Sequence, residues 1–345
     1  MDVLIIMVII VVVLALWFTM TNGLLDASSV VATFIACGAG TTTQAVILAS
    51  VFGLLGALFG GSAVADTVAK IVNVPIGPGL LNVLTSALMG SIAWNLTAWQ
   101  FGLPSSSTHS LVGGLVGAVW VSSGYDHVLW GFSELVNLHQ LTGLVKIIAA
   151  LLISPALGFS LAYGLQKFMK HALVNARYSI NKWLKRASWV LAGLLAFVHG
   201  ANDTQKVMGL ITLALLAGNL SAQQSAPFWV RLAAGSIMFG GTMFGGWSVM
   251  KTLGRRIFDI RPIHNLNSQL SSGGAVFLAT ALGLPISTTH VVASSVIGVG
   301  AADEFRMVKW HVGKEMISAW LVTIPASAAI SALLYYPVCR LSGVG

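Results

Sequence analysis

From Val3 to Met20 the chain runs without one charged residue, and apolar stretches of similar character recur through its 345 residues. A helical crossing of a bilayer needs about 20 mostly apolar residues, and within hydrocarbon only helices and closed barrels satisfy their own backbone. Charged residues make up 8% of the chain, against roughly 25% in soluble domains. The sequence therefore reads as an all-α, polytopic membrane protein of about ten to twelve membrane segments, with little chain left for an extramembrane domain. A cell-membrane location, multi-pass and surrounded by lipid, is expected.

The 18 Lys and Arg outnumber the 10 Asp and Glu, but the basic residues sit in a few short loops. There is no basic groove interleaved with aromatics, so nucleic acid is not an expected partner; retention of positive loops in the cytoplasm accounts for the surplus. Cys37 and Cys339 lie in apolar stretches with no CxxC and no His at a metal spacing, and neither a disulfide nor a metal role is expected of them. Asp2, with no basic stretch and no small-residue cleavage site before Thr21, marks the first segment as a retained span rather than a signal peptide.

The two halves of the chain match in four places in the same order. Asn22-Gly23-Leu24-Leu25-Asp26 pairs with His199-Gly200-Ala201-Asn202-Asp203, and Leu58-Phe59-Gly60-Gly61 with Met243-Phe244-Gly245-Gly246. Leu103-Pro104-Ser105-Ser106-Ser107-Thr108-His109 pairs with Leu284-Pro285-Ile286-Ser287-Thr288-Thr289-His290, and Ser154-Pro155 with Ile324-Pro325. This divides the chain into a first membrane repeat (1–165), a basic linker (166–187) and a second membrane repeat (188–345). The linker holds Lys167, Lys170, Arg177, Lys182, Lys185 and Arg186 and no acid, which places it in the cytoplasm.

Equivalent loops differ in charge. Ser122 to Thr142 has no Lys or Arg, whereas its counterpart Ala302 to Lys314 has Arg306, Lys309 and Lys314. Asp66 to Pro78 has Lys70 alone, whereas Met250 to Pro262 has Lys251, Arg255, Arg256 and Arg261. Opposite-facing equivalent loops are the mark of two inverted repeats, whose substrate sites form near the midplane where interrupted helices meet. The segments around Leu103–His109 and Leu284–His290 are then expected to be re-entrant hairpins, and those around Asp26 and Asp203 interrupted crossings.

Each hairpin would place hydroxyls at the start of a new helix, where they cap free N–H groups and where the helix dipole favours an anion. Two such ends, one from each half, would form an oxyanion site from neutral donors. An ionisable residue at bilayer depth is functional by default. Asp26 and Asp203 suit sodium or proton coupling, with Asn22 and Asn202 supplying amide groups. Lys206, one turn beyond Asp203, can pair with that carboxylate or face the anion; its counterpart is Ser29, so the site is expected to be asymmetric. His109, His199 and His290 are either proton shuttles or structural hydrogen-bond partners. Gly56/Gly60 and Gly113/Gly117 have the small-xxx-small spacing of close helix contacts.

His199-Gly200-Ala201-Asn202-Asp203-Thr204-Gln205-Lys206, the paired Ser/Thr-His segments and the two-half layout resemble the inorganic phosphate transporter (Pit) family of secondary permeases. The resemblance covers nearly the whole chain. It implies uptake of inorganic phosphate coupled to sodium or protons, in some members as a metal-phosphate complex, without a cofactor. Carried onto this sequence, it implies a transport site of Asn22, Asp26, Ser106, Ser107 and Thr108 from the first half and Asn202, Asp203, Ser287, Thr288 and Thr289 from the second; with Lys206 added from the residues themselves, phosphate binding is expected of Ser106, Ser107, Thr108, Ser287, Thr288, Thr289, Asn202 and Lys206. Cation coupling is expected of Asn22, Asp26 and Asp203, the two aspartates taking either sodium or a proton. The first half departs from the family pattern: Ser29 stands where an Asn is usual and Leu25 where a polar residue or His is. A permease for another oxyanion such as sulfate is the alternative, although Asp26 and Asp203 would accept a proton from phosphate and repel sulfate. An intramembrane hydrolase is the remote alternative, since Thr-His occurs twice, as in a symmetric binding site. A homodimer is compatible with the sequence.

Overall fold

The structure, a computed structural model, describes residues 3–101, 105–223, 225–244 and 257–343. Leu103, Pro104, Gly245, Gly246, Lys251, Arg255 and Arg256 of the sequence argument lie outside the described residues. In the first half, α1 (Val3–Leu25) is followed by α2 (Ala27–Ala36), α3 (Thr42–Phe59), α4 (Ala63–Ala69), α5 (Pro78–Gln100) and α6 (Ser107–Ser123). The short α7 (Phe132–Leu138) then leads to α8 (Gly143–Ala172). The second half comprises α9 (Ile180–Ala217), α10 (Phe228–Phe244), α11 (Pro262–Ala281), α12 (Thr288–Glu304) and α13 (Trp310–Ser342). Among the described residues, five stretches, Val3–Ala36, Thr42–Phe59, Pro78–Gln100, Gly143–Ala172 and Trp310–Ser342, are long and apolar enough to cross a membrane.

Helix packing repeats with the halves exchanged. As α1 packs on α10, so α9 packs on α3; as α1 packs on α5, so α9 packs on α11. The pairs α5–α6 and α11–α12 form equivalent hairpins. The last helix of each half serves the other half: α13 packs on α5 and α6, and α8 on α11 and α12. Such close approach needs residues without side chains at the crossings. A Cβ on Gly200 of α9 would run into the carbonyl oxygen of Gly53 in α3, and one on Gly117 of α6 into that of Ala328 in α13.

Both hairpin tips carry the expected hydroxyl caps. Ser106 Oγ accepts from His109 N at 3.3 Å and Ser287 Oγ from His290 N at 3.4 Å. The second tip begins just beyond α11 at Gly283, whose φ of +65° is left-handed and closes the last carbonyls through Leu284 N→Ala279 O at 2.8 Å and Gly283 N→Thr280 O at 3.0 Å.

Two expectations change. The crossing at Asp203 is not interrupted, because α9 runs unbroken through it. Nothing in Gly200–Lys206 removes a backbone donor, and Thr204 Oγ1 donates back to Gly200 O at 2.6 Å, so the helix continues while its polar side chains find partners laterally. At Asp26 the break is a single residue between α1 and α2: Asp26 N still bonds Asn22 O at 2.8 Å, and Ser29 N tightens onto Asp26 O at 3.0 Å. The basic segment 166–187 is mostly helical as well. Lys167 and Lys170 finish α8, while Lys182, Lys185 and Arg186 open α9, leaving 173–179 between the helices. At 38 residues and about 1.5 Å per residue, α9 is longer than a bilayer core.

The orientation of α8 separates the two equivalent loops. Leu144 N bonds Leu129 O at 2.8 Å at its start, and Lys170 Nζ pairs with Asp303 at 3.1 Å near its end. These ends lie about 45 Å apart along 30 helical residues.

Candidate functional site

The two hairpin tips meet between α1 and α9. Thr108 Oγ1, in the first turn of α6, donates to Ile286 O of the other tip at 2.9 Å. Two carboxylates flank this junction, and each takes at least one hydroxyl from a hairpin start.

Asp26 is buried and takes hydroxyls on both oxygens. Ser107 Oγ bonds Oδ2 in a very short contact, and Thr289 Oγ1, from the opposite half, reaches Oδ1 at 2.5 Å. Ser107 Oγ also lies 3.0 Å from Asn22 Oδ1. Among the described residues no Lys, Arg or His forms an ion pair with Asp26.

Asp203 sits in the equivalent frame with basic neighbours. Thr288 Oγ1, the counterpart of Ser107, donates to Oδ2 at 3.2 Å. His199 Nδ1, the counterpart of Asn22, lies 3.0 Å from the same oxygen and 2.9 Å from Thr288 Oγ1. Lys206 Nζ pairs with Oδ1. It also donates to Thr108 Oγ1 at 2.6 Å and to Ile286 O at 2.9 Å. The side chain of Lys206 is 1% exposed, so the snorkelling that long basic side chains use at membrane surfaces does not occur. The expected asymmetry is present: Ser29, in the corresponding place, returns its hydroxyl to Asp26 O at 2.6 Å.

The structure thus brings Asn22, Asp26, Ser107 and Thr289 into one cluster and Asp203, Thr288, Lys206 and Thr108 into its neighbour. Ser106 and Ser287 are used as caps of α6 and α12. Asn202 turns away from both carboxylates; its Nδ2 donates to Thr280 Oγ1 at 3.0 Å and Leu284 O at 3.1 Å, which holds the second tip against α9. His109 and His290 face each other from the two hairpins, ring centroids 4.5 Å apart, and His290 stacks on Trp320 at 3.6 Å.

Several supporting residues escaped sequence reasoning. Gln205 Oε1 accepts from Val64 N at 2.8 Å and its Nε2 donates to Gly60 O at 2.9 Å, tying the α3–α4 turn to α9. Asn95 donates to Thr21 Oγ1 at 3.1 Å and accepts from Ser110 Oγ at 2.7 Å, joining the first hairpin to α1. Thr323 of α13 meets Ser105 Oγ at 2.9 Å. Asn95 and Thr323 are uncharged polar residues in largely apolar stretches, a signal that packing satisfies as readily as function does, while Gln205 is masked by the charged residues on either side of it in the polar segment 199–206.

The family model described as "Phosphate transporter family" matches residues 22–185 and 174–331, covering both carboxylates and both tips. The chain belongs to the phosphate transporter family. A probable low-affinity inorganic phosphate transporter of Bacillus subtilis (strain 168) is 37% identical over 97% of this chain and 98% of the relative. One of Rhizobium meliloti (strain 1021), described in the same words, is 36% identical over 93% of each. A solved structure described as "The sodium-dependent phosphate transporter" has the same fold, with a TM-score of 0.78 and 27% identity over 97% of this chain and 99% of that one. As a member of the phosphate transporter family, the chain is a multi-pass membrane transport protein, and the hydrolase reading is set aside.

Proposed function

We propose that this phosphate transporter family member moves inorganic phosphate together with a coupling cation, sodium or a proton, by alternating access to the paired hairpin tips. The observation that carries the reading is the buried carboxylate Asp26 held between hydroxyls of both halves, Ser107 and Thr289. A negative group without a basic partner at this depth requires a cation or a proton. Once neutralised, it stands beside two helix N-termini and their hydroxyls, a surrounding that favours an oxyanion. Phosphate can donate a hydrogen bond to a carboxylate and sulfate cannot, which favours phosphate over the sulfate alternative. The curated relatives are named as phosphate transporters and the solved neighbour as sodium-dependent; both descriptions support the reading.

Alternating access draws support from the exchanged packing. The loop at Leu129 and the loop at Asp303, equivalent by repeat, are joined by opposite ends of α8, as inverted repeats require. The site residues are buried on every side, with Asp26 3% and Asp203 1% exposed, which suits an occluded state between two openings.

The test is counterflow of labelled phosphate in proteoliposomes with sulfate as competitor, followed by uptake under imposed sodium and proton gradients in turn. Phosphate exchange that sulfate does not inhibit, driven by one of the two gradients, is expected. Exchange of sulfate at the same rate, or uptake indifferent to both gradients, would reject the reading.

A further inference from the structure

Lys206 is surrounded by oxygen from three separate segments: the Asp203 carboxylate on α9, the Thr108 hydroxyl on α6 and the main-chain carbonyl of Ile286 in the opposite tip. An ammonium has three N–H donors, and these three acceptors use all of them. None is left to bind phosphate. Carboxylate, hydroxyl and unwound main-chain carbonyl oxygens are instead the donors with which transporters of interrupted helices hold a desolvated monovalent cation.

The first half builds the same frame with no ammonium in it. Asp26 stands for Asp203, Ser107 for Thr288, Asn22 for His199 and Ser29 for Lys206. Thr289, the counterpart of Thr108, donates directly to Asp26 Oδ1 at 2.5 Å, whereas Thr108 accepts from Lys206 and donates its own hydrogen bond to Ile286 O. With Lys206 charged, the second carboxylate is neutralised internally and the first is not.

We propose that Lys206 is a tethered cation: it fills, in the second half, the place that a coupling ion takes beside Asp26 in the first. Asp203 then binds no mobile ion, Asp26 is the sole coupling carboxylate, and one cation fewer moves with each phosphate than two free aspartates would take. This rests on the cation-coupled reading above, but it concerns ion binding and can be read without transport.

The decisive variant is Lys206→Ser, which gives the second half the residue found in the first. Cation stoichiometry is measured on the purified full chain in detergent, as bound radioactive sodium and as protons taken up in a weakly buffered titration. Lys206→Ser should acquire one further cation per chain, a sodium ion or a titrating proton, and adding Asp203→Asn should remove it. In proteoliposomes the reversal potential should show one more charge moved per phosphate. An unchanged cation count together with a tenfold or greater loss of phosphate affinity would overturn the proposal and make the ammonium an anion ligand. So would an unchanged count with unchanged affinity. If Lys206→Ser does not fold, Lys206→Met is counted in its place: one further sodium ion or titrating proton per chain than wild type supports a tethered cation, and an unchanged count refutes it. Wild-type protein that fails to exchange phosphate would reject the proposed function, while the cation count in detergent would still decide this inference.

Discussion

Replacing Asp203 by Asn removes the counter-ion of a lysine that has no route to water. Lys206 keeps Thr108 Oγ1 at 2.6 Å and Ile286 O at 2.9 Å, and the introduced amide retains one oxygen acceptor. Breaking a buried ion pair from one side costs about 3–5 kcal/mol, and a retained hydrogen bond offsets about 1 kcal/mol of that. Asp203→Asn should therefore lower stability by roughly 2–4 kcal/mol. Lys206→Met leaves the carboxylate with His199 and Thr288, and because an acid can take up a proton when stranded the cost should be smaller, about 1–3 kcal/mol. Together the two substitutions remove both charges. Their combined cost should then fall short of the sum by at least about 1 kcal/mol, the coupling expected of residues in contact. Equilibrium unfolding of the purified protein in mixed micelles gives all four corners of this cycle. Costs that add within about 0.5 kcal/mol, the range found for independent sites, would refute a charged pair.

Thr289→Val removes the hydroxyl that joins the second hairpin to Asp26 at 2.5 Å; a hydrogen bond to a charged group is worth about 1.5–3 kcal/mol, so phosphate affinity should fall roughly 10- to 100-fold. Unchanged affinity by direct binding would take Thr289 out of the site. Gly200→Val places side-chain atoms against the Gly53 carbonyl, whereas a Cβ at Gly164 in α8 meets no atom within 4 Å. The first should abolish the monodisperse peak in size exclusion, and Gly164→Ala should leave it intact; equal behaviour would mean that α3 and α9 are not in contact. Asp126 and Glu304 are exposed at the far ends of α6 and α12. In a background lacking Cys37 and Cys339, an impermeant thiol reagent on intact cells should label Asp126→Cys and spare Glu304→Cys. Labelling of both would make the repeats parallel.

Much of the site was legible because lipid makes polar residues informative. Asp26, Asp203 and the two Ser/Thr runs stand out in apolar segments since each would be costly there without a purpose, and their recurrence in both halves marks them as one construction. Hydroxyls ahead of a helix carry their own mechanism, and Ser106 and Ser287 do cap α6 and α12. Glycines spaced for close contact likewise announce an approach between helices, though not which helices approach.

Sequence alone therefore determined the membrane class and singled out the recurring polar segments, because hydropathy and helix capping act over one segment at a time. Tertiary structure decided who meets whom. Thr289 reaches Asp26 across 263 residues, α8 and α13 each pack in the opposite half, and Asn202 serves the tip and not the carboxylates. It also decided that α9 passes Asp203 unbroken and that the three donors of Lys206 are all used within the protein. Such pairings depend on how separate helices are placed in three dimensions, and a helical period specifies only the face a residue lies on, never the neighbour that face will meet.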